Sequence, residues 1–302
     1  MEVLEESGKL DRLQSGTLQA FINWSCDKFK QAGIPSPRLD AEILIAEGLK
    51  ISRTALLTHP ERILDRAEEE LLCARIQKRI LREPVSHITG VQEFWSLEFE
   101  VNDKVLTPRP ETEILIEQCL KIFAKLPSPV RILDLGTGSG ILSIVLAKEI
   151  PHSQVTAIEQ SAEALEVARK NALHHDVTDQ ISFISGDMMA VDWQGPYDII
   201  ISNPPYIESG DIKKCMPEVR LYEPIQALDG GEDGLDYYRF IVPTAWEKLK
   251  ANGLLALETG HTQAAAVVDM LEKKQGYKDI QVVQDYSGYD RVVLARRRTL
   301  NG

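Results

Sequence analysis

The sequence is poor in cysteine, in long apolar runs and in basic side chains, and each shortage excludes a class of protein. Four cysteines occur among 302 residues, widely separated and without a Cys-x-x-Cys pair or a histidine at ligand spacing. We therefore expect neither a structural zinc site nor a disulfide framework. No apolar run approaches the ~18 residues that a membrane-spanning helix needs. A protein without a metal site and without membrane contact is the expectation.

Basic residues are outnumbered by acidic ones, 34 to 46, which gives a formal charge of −12. Proteins whose main task is to grip nucleic acid phosphates are normally basic, so direct nucleic acid binding is not expected. Glu2, Glu5 and Glu6 precede any apolar stretch, unlike the start of a secretory or transit peptide. Together with the low cysteine content, this favours a cytoplasmic location.

The first 90 residues have the periodicity of amphipathic helices. From Thr17 to about Leu81, apolar residues recur three and four positions apart, interrupted by glycine and proline breakers. In the last of these runs, Leu71, Leu72 and Ile76 are predicted to share one packing face. The stretch is nearly neutral and contains no cluster of catalytic side chains. We predict a small all-helical domain whose task is to dock a protein substrate, with a purely stabilising cap as the alternative.

A different pattern follows this helical stretch. Residues 91–109 include alternating apolar and polar side chains and a turn signal at Asn102-Asp103, which predicts a β-hairpin linker. Over residues 110–302, strands and helices alternate, with seven predicted strands. This is typical of an α/β domain with a mostly parallel sheet and helices on both faces. The segment from Ile207 to Gly234 is predicted to be a long irregular connection.

A glycine-rich turn follows a buried strand and forms the first candidate site. It reads Asp134-Leu135-Gly136-Thr137-Gly138-Ser139-Gly140, and its glycines let a ligand approach the backbone at an open helix N-terminus. The spacing is neither that of a dinucleotide site nor that of a phosphate loop. Glu159 ends the next strand, where a carboxylate can accept from both ribose hydroxyls. Together they predict a nucleoside-bearing cofactor without a pyrophosphate, while a turn that merely permits close packing is the alternative.

Gly186-Asp187-Met188 follows the third predicted strand, at the sheet edge where ligands of open α/β folds bind. Asp187 could accept a hydrogen bond from an adenine amino group while Met188 packs on the ring. An aspartate after a strand is often a helix cap instead. We predict a cofactor contact and keep the cap as its alternative.

Asn203-Pro204-Pro205-Tyr206 follows the fourth predicted strand and is the most specific motif of the chain. Consecutive prolines remove backbone donors and stiffen the turn, so that carbonyl oxygens and the Asn203 amide point in fixed directions. A planar NH₂ group needs two in-plane acceptors, which the Asn203 side-chain oxygen and the Pro204 carbonyl can supply. Tyr206 can then stack on the flat group. The motif predicts a site that holds a planar amide or amine.

In this order, DLGTGSG, Glu159, GDM and NPPY resemble class I S-adenosylmethionine-dependent methyltransferases that modify a planar nitrogen. Over nearly its whole length the chain is similar to the bacterial HemK/PrmC family of peptide chain release factor glutamine methyltransferases. Segments 37–49, 82–113 and 218–241 carry this resemblance. His87 stands where the family usually has tyrosine, and Glu159 where aspartate is common. The PETE sequence after Pro-Arg favours release factors over the ribosomal protein methylated by a sibling family.

The resemblance implies a Rossmann-like class I methyltransferase fold with a seven-stranded, mostly parallel sheet. It implies methyl transfer from S-adenosylmethionine, leaving S-adenosylhomocysteine, to the side-chain amide nitrogen of the glutamine in the GGQ loop of class I release factors. The alternatives are a ribosomal protein glutamine, an exocyclic amine of a nucleic acid base, or a non-catalytic binding module on the same fold. The implied catalytic residues are Asn203, Pro204, Pro205 and Tyr206; the implied cofactor contacts are Asp134, Gly136, Thr137, Gly138, Ser139, Gly140, Glu159, Asp187, Met188 and Asn203.

The segment from Thr107 to Glu113 precedes the sheet, and two interpretations of it stay open. It could close over the cofactor site. It could equally be a proline-stiffened linker that starts a helix, with Pro110 in the first turn and Glu111 and Glu113 facing the positive end of the helix dipole.

Overall fold

The computed structural model describes residues 16–123 and 129–299, and the chain divides into two compact units, Met1–Thr89 and Gly90–Gly302. The first unit is helical throughout its described part. Its helices are α1 (Leu18–Gln31), α2 (Pro37–Leu49), α3 (Arg53–Thr58), α4 (Arg66–Ile80) and α5 (Val85–Thr89).

Local sequence signals explain the helix starts in this unit. The Thr17 side chain caps α1 by accepting from the Ala20 amide, and α4 opens with a capping box between Asp65 and Glu68. The apolar faces of α1, α2 and α4 meet in one core. On α4, Leu72 and Ile76 are buried as predicted, but the prediction for Leu71 was wrong, since it is 45% exposed.

The second unit begins with a hairpin of β1 (Val91–Phe94) and β2 (Leu97–Glu100), as predicted. The predicted turn position was wrong. The chain reverses at Trp95 and Ser96, both at φ 56°, a conformation that suits a two-residue hairpin turn. The Asn102 side chain instead accepts from the Lys104 amide at 2.9 Å, in a separate tight turn after the hairpin.

The rest of this unit alternates strands and helices around one sheet. A 3₁₀ turn, Pro110–Thr112, leads into the first helix. The elements are α6 (Glu113–Phe123), β3 (Arg131–Leu135), α7 (Ile141–Glu149), β4 (Gln154–Glu159), α8 (Ala162–His174), β5 (Ile181–Ser185), β6 (Tyr197–Ser202), α9 (Pro217–Tyr222), α10 (Asp236–Lys248), β7 (Leu249–Glu258), α11 (Ala264–Lys273), β8 (Tyr277–Gln284) and β9 (Asp290–Arg297).

The sheet has seven strands in the order β5-β4-β3-β6-β7-β9-β8. Strands β5, β4, β3, β6 and β7 are parallel, and β9 runs antiparallel to both of its neighbours. This confirms the predicted mostly parallel seven-stranded sheet. Its inner strands are apolar on both sides, because Ile132 packs in one core and Leu133 in the core on the opposite face. The carboxyl ends of β3, β4, β5 and β6 therefore meet at one edge.

The connection between β6 and α10 is more ordered than its sequence predicted. It contains α9 and two 3₁₀ turns, Ile212–Lys214 and Ile225–Ala227. Pro217 starts the short helix, because its fixed φ suits a first helical turn. In the part of the chain that the structure describes, no helix has the length and apolar character to cross a membrane.

Candidate active site

The glycine-rich turn after β3 adopts backbone conformations that favour glycine. Gly136, Gly138 and Gly140 have φ values of 73°, 56° and 89°, in the left-handed region that costs other residues energy. Gly140 is the N-cap of α7, and a Cβ there would lie 3.0 Å from Ile144 Cδ1 and 3.2 Å from Ala168 Cβ. A Cβ on Gly138 would meet no atom within 4 Å. The turn thus combines close helix packing with open space at its centre.

Asp134 lies fully buried behind this turn. The hydroxyls of Thr137 and Ser143 both donate to its Oδ2 at 2.6 Å, whereas its Oδ1 has no partner among the described residues. Burial raises the pKa of Asp134 to about 6, although the two hydroxyl groups oppose the rise. A buried acceptor without a hydrogen-bond donor destabilises the folded state, so Asp134 Oδ1 suits a donor supplied by a ligand.

Glu159 ends β4 and is almost completely buried, at 9% exposure. Its Oε2 accepts from the Gly138 amide and its Oε1 from the Ser161 amide, each at 2.9 Å. Each carboxylate oxygen keeps a lone pair for a further donor, such as a ribose hydroxyl. Two backbone amides therefore hold the carboxylate in place at the wall of the cleft.

Asp187 and Met188 follow β5. The Asp187 side chain accepts from the Met189 amide at 2.8 Å in a local turn, which leaves its second oxygen for a ligand. Met188 is buried, and its methyl group would lie 3.2 Å from a Cβ on Gly136. Both residues line the same cleft as the glycine turn.

Asn203 follows β6 and lines the same cleft together with Pro205. Its Nδ2 donates to Thr112 Oγ1 over 3.4 Å. Within residues 16–123 and 129–299, neither Asn203 Oδ1 nor the Pro204 carbonyl accepts a hydrogen bond. Neither oxygen is committed to a protein donor, so both are candidate acceptors for a planar NH₂ group, although of the two residues only Asn203 lines the cleft.

Tyr206, at the end of the motif, lies behind the cleft wall. Its carbonyl accepts from Gln263 Nε2 at 2.8 Å, and burial raises the pKa of its phenol to about 12. The glycine at position 260 passes close by, where a Cβ would lie 3.4 Å from Tyr206 Cδ2. The predicted stacking of this ring on a flat substrate group stays a prediction.

Glu258, at the end of β7, is a buried carboxylate beside the Asn-Pro-Pro-Tyr turn. It is 1% exposed, and its Oε2 accepts from Thr112 Oγ1 at 2.7 Å. Burial raises the pKa of Glu258 to about 7, while the Thr112 hydrogen bond and the positive charge of Arg291 oppose the rise. No sequence motif singled out this residue, although a carboxylate at the end of an apolar strand is a signal for a site.

The segment that precedes the sheet is tied to the connection after β6. Arg109 Nη2 contacts both oxygens of Glu223, at 2.6 and 2.7 Å, and the Glu223 side chain is 1% exposed. Leu106, three residues before Arg109, and Pro224, one residue after Glu223, both line the cleft. The ion pair therefore joins two segments that wall the cleft. Within the segment itself, Pro110 and Glu111 lie in the first turn of the 3₁₀ helix that leads into α6, as the linker interpretation predicts. No residue from Thr107 to Glu113 lines the cleft, so closure of this segment over the site stays a prediction.

The cleft encloses about 690 Å³, counted to include its open mouth. Of the predicted site residues, Gly136, Gly138, Glu159, Asp187, Met188, Asn203 and Pro205 line it, whereas Asp134, Thr137, Ser139, Gly140, Pro204 and Tyr206 lie behind the lining. Sequence reasoning missed several lining residues, among them Lys104, Val105, Ser161, Gln226 and Tyr237. They come from loops, from a 3₁₀ turn and, for Tyr237, from α10. None belongs to a recognisable motif, and only the fold brings them together.

These residues fit S-adenosylmethionine. The unpartnered Asp134 Oδ1 and the open space beside Gly138 suit a cationic amino group and a ligand chain against the backbone. Glu159 suits the ribose, and Met188 with Ile158 supplies apolar surface for a base. These acceptors and apolar surfaces are of the kinds that this cofactor requires.

Comparison with known proteins identifies the family of this chain. Residues 20–90 match the family model of the PrmC N-terminal domain, and residues 111–231 match that of the methyltransferase small domain. The release factor glutamine methyltransferase of Geobacter sulfurreducens is 39% identical over 93% of this chain and 96% of its own length. The protein of the same name from Caulobacter vibrioides is also 39% identical, over 94% of this chain and 98% of its own.

Solved structures place the fold among methyltransferases. The catalytic domain of hMettl16 superimposes with a TM-score of 0.55 at 15% identity, over 81% of this chain and 85% of its own. That likeness concerns the fold alone, whereas the identity to the two bacterial relatives extends through both units. The chain belongs to the release factor glutamine methyltransferase family.

Proposed function

We propose that this chain transfers a methyl group from S-adenosylmethionine to the side-chain amide nitrogen of the glutamine in the GGQ loop of class I release factors. As a member of its family it is an S-adenosylmethionine-dependent protein-glutamine N-methyltransferase. One observation carries the proposal. Asn203, with an unoccupied Oδ1, lies on the wall of the same cleft that Gly138 and Glu159 line.

An amide nitrogen is a poor nucleophile because its lone pair is delocalised into the carbonyl. Asn203 Oδ1 and the Pro204 carbonyl would each accept one hydrogen of the substrate NH₂ group and hold its nitrogen in a fixed orientation. Both acceptors also stabilise the positive charge that develops on this nitrogen. Positioning and electrostatics, rather than proton transfer by a side chain, then supply the acceleration, and the methylated nitrogen releases its extra proton to solvent.

The cofactor would be held by Asp134, the glycine turn, Glu159, Asp187 and Met188. When bound, it supplies a methyl group on a positively charged sulfonium, which is already a strong electrophile. The chain's own contribution is to fix the cofactor through Glu159 and the backbone of the turn. Leu106 and Pro224 add apolar surface to the cleft lining.

Mass spectrometry of a purified class I release factor, after incubation with this protein and S-adenosylmethionine, tests the proposal. The expected result is one added methyl group on the peptide that contains the GGQ glutamine. A release factor with that glutamine replaced by alanine is the matched control and should stay unmodified. An unmodified glutamine, or methyl transfer to nucleic acid supplied in a parallel reaction, would overturn the proposal.

We also propose that residues 1–90 dock the release factor and that the protein acts in the cytoplasm, where translation ends. Leu57 and Ile63 of the helical unit expose 60% and 75% of their surface, which is suited to contact with a protein. We expect lysine at either position to raise KM for the release factor without changing affinity for S-adenosylmethionine. An unchanged KM in both variants would contradict this role.

A further inference from the structure

A chain of hydrogen bonds links Asn203 to two buried residues that belong to no cofactor contact. Asn203 Nδ2 donates to Thr112 Oγ1, and Thr112 Oγ1 donates to Glu258 Oε2. Thr112 and Glu258 are each 1% exposed. The three residues come from the 3₁₀ turn before α6, the end of β7 and the turn after β6. These three positions share no helix or strand, so the hydrogen bonds between their side chains are what links them.

The chemistry of the three groups sets the direction of the chain. A carboxylate only accepts hydrogen bonds, and a hydroxyl has a single proton. When Glu258 is ionised, above the pKa of about 7 to which burial raises it, that proton goes to Glu258. Thr112 Oγ1 is then left as an acceptor, and Asn203 turns its NH₂ group towards it. The opposite edge of the same amide, Oδ1, then faces the cleft. In the flipped amide, NH₂ would face the cleft and would meet the NH₂ group of the substrate.

We propose that Thr112 and Glu258 are positioning residues that select the orientation of the Asn203 amide in which Oδ1 accepts from the substrate nitrogen. The inference rests on the proposed function and deepens it. An asparagine amide has two orientations of nearly equal shape, and only its hydrogen bonds distinguish them. Without Thr112 the Asn203 amide populates both orientations. In the flipped orientation its NH₂ group faces the NH₂ group of the substrate, and no hydrogen bond can form between them.

The Thr112→Val variant tests the proposal, since it keeps the shape of the side chain and removes the hydroxyl. We expect kcat for glutamine methylation to fall roughly 10- to 100-fold, the size of a lost or mismatched hydrogen bond. The affinity for S-adenosylmethionine, measured by calorimetry, should stay within about twofold, because Thr112 does not line the cleft. Thr112→Ser retains the hydroxyl and is the matched control, with kcat close to that of the wild type.

A double-mutant cycle separates positioning from a merely structural role. In the Asn203→Ala background there is no amide to orient, so Thr112→Val should cause no further loss of kcat. Thr112→Ala, which adds no new methyl contact, repeats the test if the valine variant does not fold. Equal losses in the presence and absence of Asn203, or a serine variant as slow as the valine variant, would overturn the inference.

The outcomes also distinguish this inference from the proposed function. If the wild-type protein leaves the release factor glutamine unmodified, the proposed function fails, and the positioning role fails with it. If the wild type is active and Thr112→Val is equally active, only the positioning role fails.

Discussion

The two walls of the cleft are built in different ways. The cofactor wall is the part of the lining that contains Gly136, Gly138 and Glu159, and Glu159 is held by the amides of the glycine turn and of its own loop. The acceptor wall depends on side chains that are far apart in sequence, since Thr112 lies 91 residues before Asn203 and 146 before Glu258. The cofactor wall therefore depends on a local sequence motif, whereas the acceptor wall depends on tertiary contacts. Substitutions should accordingly affect cofactor binding and stability on one wall, and the rate of transfer on the other.

Asn203→Ala should reduce the rate of methyl transfer more than any other substitution proposed here, and it is the strictest test of the acceptor wall. Losing one of two acceptors for the substrate NH₂ group is expected to raise the barrier by about 2–4 kcal/mol, by analogy with oxyanion-hole donors. Single-turnover methylation of a release factor measures this loss, and calorimetry checks that cofactor affinity is nearly intact. An unchanged single-turnover rate would remove Asn203 from its proposed catalytic role.

Glu258→Gln should change the pH dependence of stability. Because burial raises the pKa of Glu258 to about 7, the folded state holds a proton that the unfolded state releases near pH 4.5. The carboxyl thus favours the folded state below its unfolded pKa, and this contribution is lost as pH rises through about 7. Arg291 and Arg109 oppose the shift, while Glu111 adds to it.

Relative to the glutamine variant, the wild type should therefore lose up to about 3 kcal/mol of unfolding free energy between pH 5 and pH 8. Denaturant titrations of both proteins at the two pH values measure the difference. A constant difference in unfolding free energy would show that Glu258 keeps an ordinary pKa.

Two glycine substitutions separate the cost of a steric clash from the cost of a left-handed backbone conformation in the glycine turn. Gly140→Ala combines a left-handed φ with a Cβ 3.0 Å from Ile144, and should cost about 2–3 kcal/mol of unfolding free energy. Gly138→Ala has the same kind of φ but open space, and should cost about 1 kcal/mol. Denaturant unfolding of both variants checks the order. Equal losses would mean that the packing against α7 and α8 is not tight.

Arg109→Met should cost about 1–3 kcal/mol of unfolding free energy, because the arginine is 37% exposed but the Glu223 side chain that loses this partner is 1% exposed. Glu223 keeps its hydrogen bonds with Thr107. Since Leu106 and Pro224 line the cleft, we expect a drop of a few-fold in affinity for S-adenosylmethionine by calorimetry. Arg109→Lys retains the charge and should bind the cofactor more tightly than the methionine variant. Wild-type affinity in Arg109→Met would show that this ion pair does not organise the cleft.

Elements whose signals are local were predicted closely. The helix Ile141–Glu149 and the strand Gln154–Glu159 follow the predicted alternation of helices and strands, because apolar runs between glycine, serine and proline breakers define them. The hairpin turn was misplaced, since Trp95 and Ser96 lack the asparagine or glycine that usually marks a left-handed turn. Leu71 was misassigned because helical periodicity gives a face but not its width.

The sequence by itself determined the seven-stranded alternating architecture and the residues at strand ends from Asp134 to Asn203. Each of these depends on interactions within a few residues, where spacing and backbone preferences suffice. Only the tertiary structure decided that Thr112 and Glu258 meet Asn203, and that Arg109 meets Glu223. Such contacts join distant segments through buried polar groups. Their partners follow from the packing of the sheet and its connections, which no local pattern encodes.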